Sequence, residues 1–211
     1  MNQVPLLAAF TFALAGTFSP GPNNVMSGSL GVMYGYRRCI PFILGITCGF
    51  SLVMLLSAIA STLLLGAFPA VEPVLKYAGT AYILWLAWAT WAHRANFGKA
   101  LGDDVPRAHG FMGGFALQFV NPKGIIYGLL MFSTFLAGLT SNIPAVIAAS
   151  AVMGLLGFAA TSTWAIAGMT IRHWLRTDLD RAIVAGVLSL TLVYTAAELV
   201  GVPAMLGSLF R

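Results

Sequence analysis

Apolar stretches of about twenty residues or more alternate with short polar connectors along nearly the whole chain. Since roughly 20 apolar residues cross a bilayer as a helix, they predict spans over Val4 to Tyr34, Ile40 to Leu65, Val71 to Trp91, Phe111 to Leu139, Ile143 to Ile171 and Ala182 to Leu206. The first stretch is interrupted near Pro20 and the fourth near Pro122. The clearest polar connector runs from His93 to His109 and carries Arg94, Lys99, Asp103, Asp104 and Arg107. It splits a single transmembrane domain into a first repeat over residues 1–93 and a second over 111–211, joined by a cytoplasmic connector over 94–110. The fold expected is an all-α integral membrane protein of about six helices, two inverted three-helix repeats whose first and fourth helices are broken.

Composition narrows the class. Only 8% of the 211 residues are charged, against about 25% in a soluble domain, so a water-facing surface cannot be made. The net charge of +5 comes from basic residues scattered singly or in pairs, which gives no cationic face for nucleic acid. With six spans, Arg37, Arg38, Arg94, Lys99, Arg107, Arg172, Arg176 and Arg181 fall on one side, Lys76 and Arg211 on the other, and Lys123 at membrane depth. The positive-inside bias makes the crowded side cytoplasmic and puts both termini outside; a first segment that only re-enters the membrane would change the count. The N-terminus, Met1-Asn2-Gln3, lacks the basic start of a cleaved signal peptide, so the first segment is expected to stay in the protein.

Smaller features fit the same picture. Trp85, Trp88 and Trp91 approach one end of the third span and Tyr77 the other, as interface anchors do. Trp164 reads as lipid or helix packing, with a stacking role for a solute as the alternative. Cys39 and Cys48 lie about 13 Å apart along a helix, too far for a disulfide, and read as small buried hydrophobes. Gly45 and Gly49 form a GxxxG pair that lets another helix come close.

Two interruptions are needed by no simple anchor: Ser19-Pro20-Gly21-Pro22-Asn23-Asn24 and Asn121-Pro122-Lys123-Gly124. Proline removes an amide donor and clashes with the turn before it, so carbonyls are expected to lose their partners here. Lipid cannot satisfy them, and such segments persist at depth only inside protein or beside a wet cavity. Each break falls in the first span of its half, after a comparable lead-in that in the second half includes Gln118. Oppositely directed broken helices meeting near the midplane are the pattern of an inverted-repeat transport site.

The half-helix after each break offers amide groups and a partial positive charge, which suit a carboxylate. Exposed carbonyls are expected to take an ammonium group, and Lys123 adds a full positive charge. The solute that meets both demands is a zwitterionic amino acid, and the site residues expected are Pro20, Gly21, Pro22, Asn23, Asn24, Gln118, Asn121, Pro122 and Lys123. Two plainer readings stay open: a proline kink satisfied by neighbours at Pro122, and a Lys123 that snorkels to an interface. Glu198, the one acid well inside an apolar run, is a candidate for proton coupling or for snorkelling to the outer edge.

At these breaks the sequence resembles the lysine-exporter and homoserine/threonine-exporter superfamily of amino-acid efflux proteins. The likeness runs through SPGPNN, Gly35-Tyr36-Arg37-Arg38, LKYAGTAYILWLAW from Leu75 to Trp88, and NPK. It is nearer to the cysteine/O-acetylserine exporter branch through LGITCGFSLVMLL from Leu44 to Leu56, FALQFVNPK from Phe115 to Lys123, and Ser133-Thr134-Phe135. The resemblance implies a bacterial inner-membrane exporter of a small neutral amino acid, with protons as coupling ion and alternating access as mechanism. Many relatives outside that branch carry a Gly-Asp pair where this chain has Gly49-Phe50, and a Pro-Gln-Phe element common in the superfamily is replaced here by Ser133-Thr134-Phe135. If that aspartate carries protons in the relatives, Glu198 or water near the breaks would have to serve here.

Competing readings are an exporter of homoserine, threonine, a basic amino acid or a metal ion, a passive channel, and a membrane-embedded enzyme. His93, His109 and His173 fall at or beyond the ends of spans, with no metal-ligand or triad spacing, so neither an enzyme nor a cofactor is expected. The partners are the solute, protons and the bilayer, with homo-oligomerisation left open.

Overall fold

A computed structural model describes residues 6–63, 68–97 and 109–200. The described residues form helices and turns with no strand. The helices are α1 (Leu6–Phe18), α2 (Pro22–Tyr34), α3 (Tyr36–Leu63), α4 (Phe68–Ala92), α5 (Phe111–Val120), α6 (Pro122–Leu130), α7 (Ile143–Arg172) and α8 (Asp178–Val200). Both expected breaks are present, between α1 and α2 and between α5 and α6. Proline stands at the first turn of α2 and of α6, the helical position where its missing N–H costs nothing.

Among the described residues three helices are long and apolar enough to cross a membrane by themselves: α3, α7 and α8. The α5–α6 pair, bent by 63°, makes a fourth if it is one span. Fewer spans qualify than the six expected because Pro20 and Pro22 cut the first stretch into two helices of 13 residues each, or about 20 Å. The described part of α4 likewise contributes only the shorter apolar segment Ile83–Ala92. The chain is thus a multi-pass helical membrane protein, whose outer faces present Leu52, Leu56 and Ile59 on α3 and Ile147, Val152 and Leu155 on α7.

Packing crosses between the two halves. The second helix of the first half's broken pair, α2, lies along α7, whereas α5 of the other pair lies along α3; α3 also packs on α7, and α4 on α8. Missing side chains make both cross-contacts close. A Cβ on Gly45 or Gly49 of α3 would strike the backbone of α5 at Phe111 or Phe115, and one on Gly31 of α2 the backbone of α7 at Ala165. The GxxxG pair therefore does serve helix approach.

The turn from α2 to α3 is one residue, Gly35, whose φ of 78° favours glycine. Tyr34 beside that turn, Phe97 after α4 and Leu175 between α7 and α8 belong to one buried cluster, so the three basic connectors share one end of the bundle. Lys99, Asp103, Asp104, Arg107, Pro203 and Arg211 lie outside the described residues, as do the side chains of Lys76 and Glu198. Trp85, Trp88, Trp91 and Tyr77 are exposed on α4, with the Arg94 guanidinium 4.5 Å from the Trp91 ring centre. One reading needs correction: Cys39 is buried but Cys48 is exposed, both as free thiols, because nine residues turn a helix by half a turn and place the two on opposite faces.

Candidate functional site

The two breaks meet. Asn23, in the first turn of α2, donates from Nδ2 to Gln118 Oε1 at 2.9 Å and accepts at Oδ1 from Gln118 Nε2 at 3.0 Å. Asn121 Nδ2 donates to the same Asn23 oxygen at 3.1 Å. Gln118 is 1% exposed and Asn121 3%; at such burial an unpaired amide is costly, and each is shared between Asn23 of the other half and a backbone group of its own helix region, Gly114 O for Gln118 and Gly124 N for Asn121. Lys123 Nζ reaches back across the junction, donating to Ser19 Oγ at 2.7 Å and to the Pro20 carbonyl at 2.8 Å. Its stem lies over Gly21, where a Cβ would come within 3.0 Å of Lys123 Cδ. Lys123 turns inward and does not snorkel.

The carbonyls freed by the first break have partners, contrary to the expectation that they stand exposed. Asn24 Nδ2 donates to the carbonyls of Thr17 and Ser19, each at 2.8 Å. Trp164 Nε1 on α7 donates to that of Phe18 at 3.2 Å. Thr195 Oγ1 on α8 lies 3.3 Å from the Pro20 oxygen that Lys123 also holds. The physical reason is dielectric: a bare carbonyl in an apolar interior costs more than the ordering of a side chain beside it. Any ammonium group entering here must displace Lys123.

The two helix starts differ. Asn121 caps its own helix, accepting from Gly124 N at 3.4 Å. The α2 start has Gly21 at its cap position and no side-chain cap, so its first-turn amides face the junction with no local acceptor. Between the breaks lies a cavity of about 50 Å3 whose walls include Ser19, Gly21, Asn23, Asn121 and Lys123. That is room for one or two waters. Phe50 of α3, Tyr127 of α6 and Thr161 of α7 complete the walls, and Lys123 is the one charged side chain among the described residues lining it.

The sequence-expected residues Pro20, Gly21, Pro22, Asn23, Asn24, Gln118, Asn121, Pro122 and Lys123 are therefore gathered at one place. Glu198 falls in the last turn of α8, its side chain outside the described residues. Sequence reading did not place Ser19, Phe50, Tyr127 or Thr195 among the site residues, and to the packing role it gave Trp164 the structure adds an indole N–H bond to a freed carbonyl. For Trp164 a signal existed, a lone indole in an apolar span that must find an acceptor; for Thr195 there was none. Among the described residues no three His, Cys, Asp or Glu side chains group as metal ligands would.

The family model for LysE type translocators matches residues 14–201. The chain is 37% identical over 203 residues to the cysteine/O-acetylserine efflux protein of Salmonella choleraesuis (strain SC-B67), covering 94% of this chain and 99% of that one. The proteins of the same name from Escherichia coli (strain K12) and Shigella flexneri serotype 5b (strain 8401) are 36% and 34% identical, with the same coverage. No solved structure gives a significant match.

Proposed function

We propose, since this chain belongs to the LysE type translocator family, that the solute it exports binds where its two helix breaks meet. Its activity is amino-acid efflux across a membrane. The solute is a small neutral amino acid of the kind named for its relatives, cysteine or O-acetylserine. The observation that carries this reading is the junction of Asn23, Gln118, Asn121 and Lys123 around one cavity.

The chemistry follows from what each group offers. The solute's carboxylate goes to the uncapped start of α2 and the Lys123 ammonium, where partial and full positive charges add. Its ammonium takes the Pro20 carbonyl once Lys123 swings to the carboxylate, so an intramolecular contact is exchanged for an intermolecular one. A cavity of about 50 Å3 does not hold an amino acid; this is a closed arrangement, and binding requires the breaks to part. Alternating access is then a rocking of two inverted three-span halves, residues 1–93 and 111–211, about the hydrogen bonds that join Asn23 and Ser19 to Gln118, Asn121 and Lys123. The packing of α3 on α7 and of α4 on α8, each its own counterpart when the halves are exchanged, and of α2 on α7 with α6 on α3 supports that two-fold relation.

The basic connectors at one bundle end support a cytoplasmic assignment for that end, with both termini outside a bacterial inner membrane. Protons are the coupling ion in this reading. Phe50 lines the cavity where many relatives carry aspartate, so the proton route passes through Glu198 or water beside the breaks.

The test is O-acetylserine flux in proteoliposomes with and without an imposed pH gradient. Wild type moves the solute, faster against a proton gradient. Asn23→Ala and Lys123→Met slow it at least about tenfold, the value of one hydrogen bond to a charged group, while remaining monodisperse in detergent. Unchanged rates in both variants overturn the site, and indifference to the gradient overturns the coupling.

A further inference from the structure

A second and larger cavity, of about 240 Å3, lies toward the connector end, between α2, α4 and the segments that flank the central connector. Among the described residues its walls are apolar at Met26, Leu30, Met33 and Phe97, and polar at Ser29, Tyr34, Thr90, His93 and His109. Two polar atoms of its wall residues, Ser29 Oγ and His109 Nδ1, are buried and have no hydrogen-bond partner among the described residues. Buried polar atoms are ordinarily satisfied, so these two wall residues each keep a hydrogen bond to offer once the wall side chains shift. The described lining holds neither carboxylate nor lysine nor arginine. It suits a solute that is polar, small and without net charge.

Continuity with the first cavity comes from α2 itself. Asn23 lines the junction of the breaks, and Met26, Leu30 and Met33 line the second cavity. Spacings of three, four and three residues put all four on one helix face, over a rise of about 15 Å. Met26 is the first α2 residue past the junction to face the larger space, and an unbranched thioether is a side chain that yields easily. A cavity several times larger than the junction, at the end where the basic connectors gather, is where an exported solute first has room.

We propose that this cavity is a second solute site, an access site that receives the zwitterionic amino acid from the connector end before it reaches the breaks. The proposal rests on the efflux reading above. Ser29 and Thr90 offer hydroxyls to the solute's carboxylate or ammonium, His109 offers a ring nitrogen, and the methionines take the side chain.

Ser29→Cys and, separately, Thr90→Cys are made in a Cys39→Ala, Cys48→Ser background and reacted in proteoliposomes with a membrane-impermeant maleimide. O-acetylserine is the probe, since it has no thiol to consume the reagent. Wild-type O-acetylserine flux is measured first; if there is none, the efflux reading fails and this ligand assignment with it. Given flux, the expected result is labelling at both positions from the connector side, slowed at least threefold by O-acetylserine, with the protection kept when Asn23→Ala is added. Protection lost with Asn23→Ala means one site only, and overturns the proposal. So does labelling that O-acetylserine leaves unslowed, or absence of labelling at both positions in protein that still transports. Ser29→Leu, which fills the cavity, raises the KM for flux from the connector side three- to tenfold with kcat within twofold; an unchanged KM also overturns it.

Discussion

The two breaks look alike in sequence and are held in different ways. The second is a local device: Asn121 caps α6 through Gly124 N and sets a 63° bend with its own side chain. The first is held partly by its own Asn24, on the Thr17 and Ser19 carbonyls, and otherwise from outside, by Trp164 of α7, Thr195 of α8 and Lys123 of α6. A turn that satisfies itself can keep its shape while the bundle moves; one that borrows partners from three other helices changes whenever they move. The first break is thus the one whose geometry depends on the packing of the other half, and Lys123 is the arm that ties the second break to it.

The largest expected effect comes from cutting that arm. Lys123→Met leaves the stem over Gly21 but removes the ammonium from Ser19 and Pro20, and O-acetylserine flux should fall at least about tenfold. Lys123→Arg, a poor replacement for a point charge between two acceptors, is expected to recover only part of it. Equal flux in wild type and Lys123→Met would dissolve the difference between the breaks.

Next is the outside support of the first break. Trp164→Phe keeps an aromatic ring, though a smaller one, and leaves the Phe18 carbonyl without its donor, a loss of at least about 1–3 kcal/mol. Thermal unfolding in detergent should show it, whereas Asn142→Ala, which removes an exposed cap at the start of α7, should cost about 1 kcal/mol. A Trp164→Phe protein as stable as wild type would mean the first break is not held by α7.

The third test separates two jobs of one residue. Asn121→Asp keeps the oxygen that caps Gly124 N but loses the Nδ2 donor to Asn23. The expectation is a stable protein with flux several-fold lower, roughly the value of one neutral hydrogen bond. Asn121→Ala should lose stability as well, by about 1 kcal/mol. If the two variants are equally stable, the cap is not what holds the second break.

The smallest effect lies away from both breaks and serves as their control. His109, before α5, sits partly buried and close to His93, and burial first, then the His93 charge, holds its imidazole below the ordinary 6.5. The unfolded chain therefore binds a proton near pH 6.5 that the folded protein resists, so stability is full above that pH and declines as pH falls through it. His109→Gln should flatten the decline between pH 7 and 5 in thermal unfolding, while Trp164→Phe should leave its slope alone. A slope unchanged in His109→Gln would show that another group carries it.

Much of this was readable before any coordinates. The helix ends at Phe18, Pro22, Val120 and Pro122 follow from proline's missing donor, and the glycines of α3 follow from the need for close packing where lipid gives no hydrophobic drive. That the Trp164 indole needs an acceptor was readable, but which carbonyl it takes was not, nor was Thr195 as a partner, because hydrogen bonds across 146 and 175 residues leave no local pattern. Cys48 was misplaced for the same reason: in a membrane protein an apolar residue suits the outside as well as the core, so polarity no longer tells the two faces apart.

That the chain is a set of apolar helices, where they break and which end collects the basic residues are legible residue by residue, because backbone donors and charge are local properties that lipid enforces span by span. Who answers the broken backbone is a matter of packing. Lys123 lies on a Pro20 carbonyl, Asn23 is shared by Gln118 and Asn121, and a larger cavity than the one between the breaks opens beside His109. Those choices depend on which helix faces meet, and hydrogen-bond partners far apart in the chain are selected only when packing brings them within reach.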